Sequence, residues 1–305
     1  RFQLVAVHAS AGSEEADGNG RADKMPHYVA RSGYVDIEDV RTLVGREPPR
    51  PQTLWLLDHA AREKHEIDLT ALSGIDEDPL AALKSAQDLA PYDGDDPRPV
   101  TITQLVWHPS GGQALVQVRS IDNKDRWTLH LKAETRALRE IHRLTDTAWI
   151  NPYRFNELGW VPGTTMPWLL SEESGHGHLY TVDAQGNQTQ HTRGAFEVSD
   201  VAFTRDGAAA YLLANRTRPT EWDLYRLTVA SGELARVTQL RGVESYTLHP
   251  AEDRALLRHS RSYTPTQAAI LSLADGSPGE NDAGKLSAGT DTRTEAYREL
   301  DWQAP

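Results

Sequence analysis

The sequence predicts an all-β protein built as a β-propeller of four-stranded blades, and three observations carry that expectation. A strand–turn–strand unit recurs four times along the chain. A second kind of hairpin recurs between those copies. Together the two hairpins repeat at roughly 40–50 residues, which is the length of one propeller blade.

The first unit appears as QLVWHPSGGQALVQVRS from Gln104, ELGWVPGTTMPWLLSEES from Glu157, DVAFTRDGAAAYLLANR from Asp200 and SYTLHPAEDRALLRHS from Ser245. Each copy has an anchor (Trp107, Trp160, Phe203, Leu248), a short turn rich in Pro, Gly and Asp, and then an apolar β-type run. Trp302 reads as a final anchor. The second unit is TLWLLDHAAREKHEID from Thr53, WTLHLKAETRALREIHRLT from Trp127, HLYTVDAQGNQTQHT from His178 and DLYRLTVASGELARVT from Asp223. Its turn carries Gly186 and Gly232 in two copies, where a positive φ is expected. Strand alternation places Leu54, Leu179 and Leu224 on one sheet face and Trp55, Tyr180 and Tyr225 on the other. A β-sandwich also uses many short strands, but recurrence of one turn at one phase favours the propeller. About five blades are recognisable, expected to belong to a seven- or eight-bladed propeller with one short inserted helix.

Residues 1–305 are therefore read as one propeller domain with two insertions. Residues 9–51 form a long polar, Gly- and Pro-rich loop, flexible between Gly12 and Gly20. The second insertion, 70–99, contains a short helix within 76–90. Asp78 is expected to cap it, Pro79 to occupy its first turn, and Leu80, Leu83 and Leu89 to share a face.

A net charge of −12 argues against a nucleic-acid partner. A mean hydropathy of −0.58 and the lack of any long apolar run argue against a membrane span. The chain has no cysteine, so disulfides, thiolate catalysis and thiolate-bound zinc are all excluded. It opens on Arg1 without a methionine or signal pattern, and so reads as a piece of a longer protein.

The candidate reactive groups are few. No G-x-S-x-G pentad occurs, and no alternating βαβ pattern would host one, so no catalytic residue is expected in this chain. His176 and His178 are two apart and could share a strand face around a metal. The better reading puts His176 in a turn and His178 at a strand start, where the next blade has Asp223, so no metal ligand or cofactor is expected. His59, His108, His142 and His249 are scattered near strand ends. Glu14–Glu15 and Asp76–Asp78 read as solvated or helix-start acids. Glu172–Glu173 falls at a turn apex between strands and is the acidic pair closest to a ligand site. Trp107, Trp160 and Trp302 read as packing between blades.

The stretch from Leu144 to Phe203 resembles the propeller of dipeptidyl-peptidase IV-like serine peptidases, of the prolyl-oligopeptidase group. The resemblance rests on Asp146, Trp149 and Asn151; on Ser171, Glu172, Gly175, His178, Leu179 and Tyr180; and on Thr192, Gly194, Glu197 and Val198. DLYRL from Asp223 and RELDWQAP from Arg298 add to it, whereas the first 140 residues match more weakly. The resemblance implies a non-catalytic, substrate-gating domain of an exported bacterial exopeptidase. A C-terminal α/β-hydrolase domain after Pro305 would be its partner, peptides its substrate, and a homodimer of the parent is possible in such a family. The Glu pair by which the best-known members hold a peptide's amino terminus has no match here, and the substrate-binding residues stay unknown. The alternative is a free-standing propeller that binds protein. A propeller lyase or glycosidase with a channel metal fits the scattered histidines poorly.

Overall fold

The computed structural model describes residues 1–8, 23–40, 51–90, 97–262 and 264–273, and the chain divides into two compact units, Arg1–Ile150 and Asn151–Pro305. Both are built mainly from antiparallel meanders in which neighbouring strands follow one another along the chain, the exceptions being the pairing of Phe2–His8 with Gln52–Asp58 and of Glu221–Thr228 with Val243–Leu248. That is the layout of propeller blades.

In the first unit, β1 (Phe2–His8), β4 (Gln52–Asp58) and β5 (Glu63–Ile67) form a three-stranded sheet. Among the described residues β2 (Asp23–His27) and β3 (Asp36–Val40) pair only with each other, so the 9–51 insertion carries a small ladder of its own. β6 (Val100–Trp107), β7 (Gln113–Ser120), β8 (Asp125–Lys132) and β9 (Ala137–Thr145) complete a four-stranded blade. The core lies between the two larger sheets. Leu4, Leu54, Leu56 and Ile67 meet Ala114, Val116, Val118, Trp127, Leu129 and Leu131 there. The period-2 spacing of these residues is what aims them at one face. Each fully buried Leu contributes about 1.5–3 kcal/mol through lost apolar surface. Leu54 is enclosed as expected, while Trp55 opposite it stays partly exposed beneath Lys64 Nζ, 5.2 Å from the ring.

The described residues of the second unit hold three sheets. β10 (Leu158–Trp160), β11 (Pro167–Ser171), β12 (His178–Val182) and β13 (Gln188–Gln190) make one. β14 (Val198–Phe203), β15 (Ala209–Arg218), β16 (Glu221–Thr228) and β17 (Glu233–Arg236) make the next. β18 (Val243–Leu248), β19 (Arg254–Arg261) and β20 (Thr264–Ser272) make a three-stranded one, joined to its predecessor by a parallel pairing of Trp222 with Val243. One apolar layer joins Leu170 and Leu179 to Leu212, Tyr225 and Leu227. A second joins Leu213 and Leu224 to Leu257 and Leu271. The four anchors Trp107, Trp160, Phe203 and Leu248 each close the first strand of their sheet.

The helix differs from expectation. α1 spans only Ala81–Ser85, and Leu83 and Leu89 are each 55% exposed. Asp78 acts one turn early: its Oδ1 accepts the Leu80 amide at 2.9 Å and its Oδ2 pairs with Lys84 Nζ at 2.7 Å. Asp88 at φ 55° then ends the segment. Among the described residues no helix is long and apolar enough to cross a membrane. Trp302, Glu14–Glu15, the Gly12–Gly20 stretch and RELDWQAP lie outside the described residues.

Candidate functional site

The residues singled out by sequence in the second unit come together, and what they build is a clasp between sheets. His178 opens β12, and both its nitrogens are engaged: Nδ1 with Thr192 Oγ1 and Nε2 with the Gly194 carbonyl, each at 3.0 Å. Thr192 Oγ1 also accepts the Leu179 amide at 3.0 Å. Phe196 stands edge-on to the His178 ring at 5.0 Å. His176 sits in the preceding turn with Nδ1 2.9 Å from Glu197 Oε1, and Glu197 also accepts the Gly177 amide. The Val198 amide then donates to the Gly177 carbonyl at 2.8 Å, tying the β14 start to the third sheet. Burial holds the His178 pKa below its ordinary value.

Gly175 turns the chain at φ 93°. Gly177 has a different job: a Cβ there would lie 2.2 Å from Phe155 Cδ1. Glu172 and Glu173 occupy the turn after β11. The Asn151 amide donates to Glu172 Oε2 at 3.4 Å, and the Glu173 amide donates to Ser171 Oγ at 3.3 Å. Asn151 itself accepts the amides of Tyr153 and Arg154 at 3.0 Å. Trp149 is 73% exposed, and Asp146 shapes the turn before it by accepting the Ala148 amide. Among the described residues no group of three or more His, Asp or Glu side chains is placed to hold a metal ion.

Beside the clasp lies a cavity of about 270 Å³ at the opening ends of β14 and β18. Its wall includes the loop Tyr153–Glu157, Asp200, Trp222, Val243 and Glu244. Phe155 holds φ 55°, rare for a bulky residue, because burial of its ring against Gly177 fixes the loop. Arg154 places its guanidinium 5.9 Å from the Trp222 ring. β14 bulges between Ser199 and Ala202, with Asp200 at φ 52°. The bulge leaves two amides without ladder partners, and Glu157 takes both: Asp200 N–H at 3.0 Å and Val201 N–H at 3.1 Å. Tyr246 supports the same bulge from the other side, its hydroxyl 2.6 Å from the Asp200 carbonyl and 2.8 Å from the Tyr211 carbonyl. Burial raises the Glu157 carboxyl, partly offset by those two amides, and burial also pushes the Tyr246 hydroxyl up.

Deeper in, Asp223 is fully enclosed and forms an ion pair with Arg236 Nη2 at 2.7 Å. The first unit repeats this device, with Asp125 Oδ1 accepting from Arg143 Nε at 2.8 Å. In both blades the Asp lies two residues before an aromatic, Trp127 or Tyr225, and that aromatic faces the Arg in the ladder. His178 occupies the same place two residues before Tyr180. The sequence had flagged Asp223 as the counterpart of His178, and the structure gives the reason: each anchors the third strand of its blade. Glu157, Glu244, Tyr246 and Arg236 were missed. The available signal was the spacing of Glu244, Tyr246 and Leu248, which share the inward face of β18. The cavity lining carries the carboxyl groups of Glu157, Asp200 and Glu244 and the guanidinium of Arg154, and Ser199 Oγ donates to Asp200 Oδ2 at 3.0 Å.

These sheets, each a meander with apolar layers on its faces, define a β-propeller class of protein. The family model for the dipeptidyl peptidase IV N-terminal region matches residues 79–266, and the chain belongs to that family. Its fold is similar to the crystal structure of Porphyromonas gingivalis dipeptidyl peptidase 4, with a TM-score of 0.60 and 16% identity over 87% of this chain and 35% of that one. It is also similar to a putative dipeptidyl aminopeptidase IV from Bacteroides ovatus, with a TM-score of 0.56 and 14% identity over 82% and 35% of the two chains. The chain therefore spans about a third of the length of these structures. No curated protein matches it.

Proposed function

We propose that this chain is the non-catalytic, substrate-gating propeller domain of a dipeptidyl-peptidase IV-like serine exopeptidase. Its family membership over residues 79–266 carries the reading. The clasp supports it, because the motif residues there spend their polar groups on joining strands, and the His178–Thr192 pair is buried away from solvent. In this reading the hydrolytic Ser, Asp and His reside on an α/β-hydrolase domain of the same polypeptide. The propeller supplies walls that admit peptides and exclude folded proteins. Export of the parent and its homodimerisation belong to the same proposal.

The test has two arms. DNA beyond the codon for Pro305 is sequenced, and a G-x-S-x-G elbow in the same reading frame is the expected result. The purified 305-residue chain is assayed on Gly-Pro and Ala-Pro chromogenic substrates, with no turnover expected. Absence of an elbow transfers the assignment to a free-standing binding propeller. Turnover sensitive to a serine-directed inhibitor places the chemistry in this chain and overturns the proposal.

A further inference from the structure

The seam between the sheet of β14–β17 and the sheet of β18–β20 contains the buried carboxyl groups of Asp223 and Glu244, and Arg236 lies beside Asp223. Asp223 on β16 takes the charge of Arg236 on β17 at 2.7 Å. Glu244 on β18 is 2% exposed and has no cation within ion-pair distance among the described residues. Its Oε2 accepts from Thr238 Oγ1 at 2.5 Å and from the Leu224 amide at 3.2 Å. Its Oε1 is shielded from water and has no hydrogen-bond partner among the described residues. Opposite it in the ladder is His259 on β19, whose Nε2 donates to the Arg241 carbonyl at 2.6 Å. The Nδ1 of that ring is also buried without a hydrogen-bond partner among the described residues.

A carboxylate with one oxygen unpaired in a dry site costs more than a carboxylic acid there. Arg236 pairs with Asp223, and its pull on the Glu244 carboxyl is weaker than burial or the push from Asp223. Other charged groups facing the site do not change this: Glu221 on β16, Glu157 and Asp200 across the cavity are acidic, and Arg154 lies out over Trp222. The position also has leverage. Trp222 and Val243, the pair that bridges the two sheets, flank this cluster, and the Trp222 amide donates to the Gly242 carbonyl at 2.9 Å.

We propose that Glu244 is a proton-operated latch: with its proton the start of β18 stays docked on β16, and on losing it the seam loosens and the adjoining cavity opens to water. This is independent of whether a hydrolase domain accompanies the chain. Burial first, and then the neighbouring Asp223, raise the Glu244 pKa to about 7. The folded pKa lies above the unfolded value of 4.5. The docked seam therefore holds fully at acidic pH, weakens as pH rises between those two values, and stays weak above the upper one.

The experiment is a pH titration of the chain labelled with ¹³C at the glutamate carboxyls, paired with amide exchange corrected for the intrinsic rate. One Glu resonance is expected to titrate near 7 and to be missing in Glu244→Gln. Protection at Leu224 and Val243 is expected to fall about a hundredfold across the window in the native chain and to stay flat in the variant. Titration of every glutamate in the ordinary range of about 4–5 overturns the latch. So does an identical pH course of protection in both proteins. The native titration alone decides the question if Glu244→Gln does not fold.

Discussion

Arg98 Nη2 lies 2.6 Å from Asp125 Oδ2, with the carboxylate fully enclosed and the guanidinium side chain 5% exposed. Arg98 also donates to the carbonyls of Gly74 and Ile75 and to Asp122. It thereby fastens the 70–99 insertion to the blade of β6–β9. Burial disfavours its charge, and Asp125 and Asp122 more than compensate, leaving its pKa raised. Removing the carboxylate takes the buried partner from two guanidinium groups, leaving Arg98 with Asp122 and Arg143 with Glu77 at 3.7 Å. Asp125→Ala is expected to cost about 3–5 kcal/mol, and Asp125→Asn less. Urea unfolding followed by tryptophan fluorescence measures it, and a loss under about 1 kcal/mol contradicts the role.

The hairpin turns give a prediction of opposite sign. Gly186 and Gly232 hold φ values of 96° and 70°, and the same turn position in the other two copies is held by Arg62 and Arg136, both at φ 58°. A left-handed backbone costs a side chain about 1–2 kcal/mol that glycine does not pay in sterics, less the greater freedom glycine loses on folding. Arg62→Gly is expected to raise stability by about 0.5–1 kcal/mol, and Gly232→Ala to lower it by a similar amount. Thermal melting of the pair checks both signs. Arg62 is the cleaner site, because Arg136 also contacts His65 at 3.0 Å.

Those turns show what the sequence could and could not disclose. The blades were legible because each is local: a strand, a tight turn and the next strand lie within twenty residues, and alternation states which side is inward. Trp107, Trp160, Phe203 and Leu248 were placed correctly on that basis. The helix was over-read because Leu80, Leu83 and Leu89 match a helical period, yet no sheet faces Leu83 or Leu89 to bury them. The cavity was not legible, since Glu157, Asp200 and Glu244 lie far apart in sequence and meet only when successive sheets stack. His178, Thr192 and Gly194 were visible as a motif, but their shared hydrogen bonds required the strand register.

Gly177 tests the clasp directly. A methyl group there meets the Phe155 ring at 2.2–2.7 Å, and that ring is buried in the layer between the third and fourth sheets. Gly177→Ala is expected to destabilise the chain by about 1–3 kcal/mol through overpacking. Gly175→Ala, with open space around its Cβ, is expected to lose about 1 kcal/mol or more from backbone strain alone. Full additivity of Gly177→Ala with Phe155→Leu in a double-mutant cycle followed by denaturant unfolding would refute the close contact.

His178 makes the clasp sensitive to acid. Its pKa is lowered, first by burial, so the folded chain prefers the neutral ring while the unfolded chain takes up a proton near 6.5. Stability is therefore complete above that value and falls as pH drops through it. This is the opposite direction to Glu244, whose protonation strengthens the seam. His178→Gln keeps a polar group near Thr192 and removes the ring's titration. It is expected to lower stability by about 1–2 kcal/mol at neutral pH, as a lost buried hydrogen-bond pair does. It is also expected to flatten the decline on acidification from about pH 7 to 5. Melting temperatures of the native chain and the variant across that range give the answer, and parallel curves would show that the ring titrates as freely folded as unfolded.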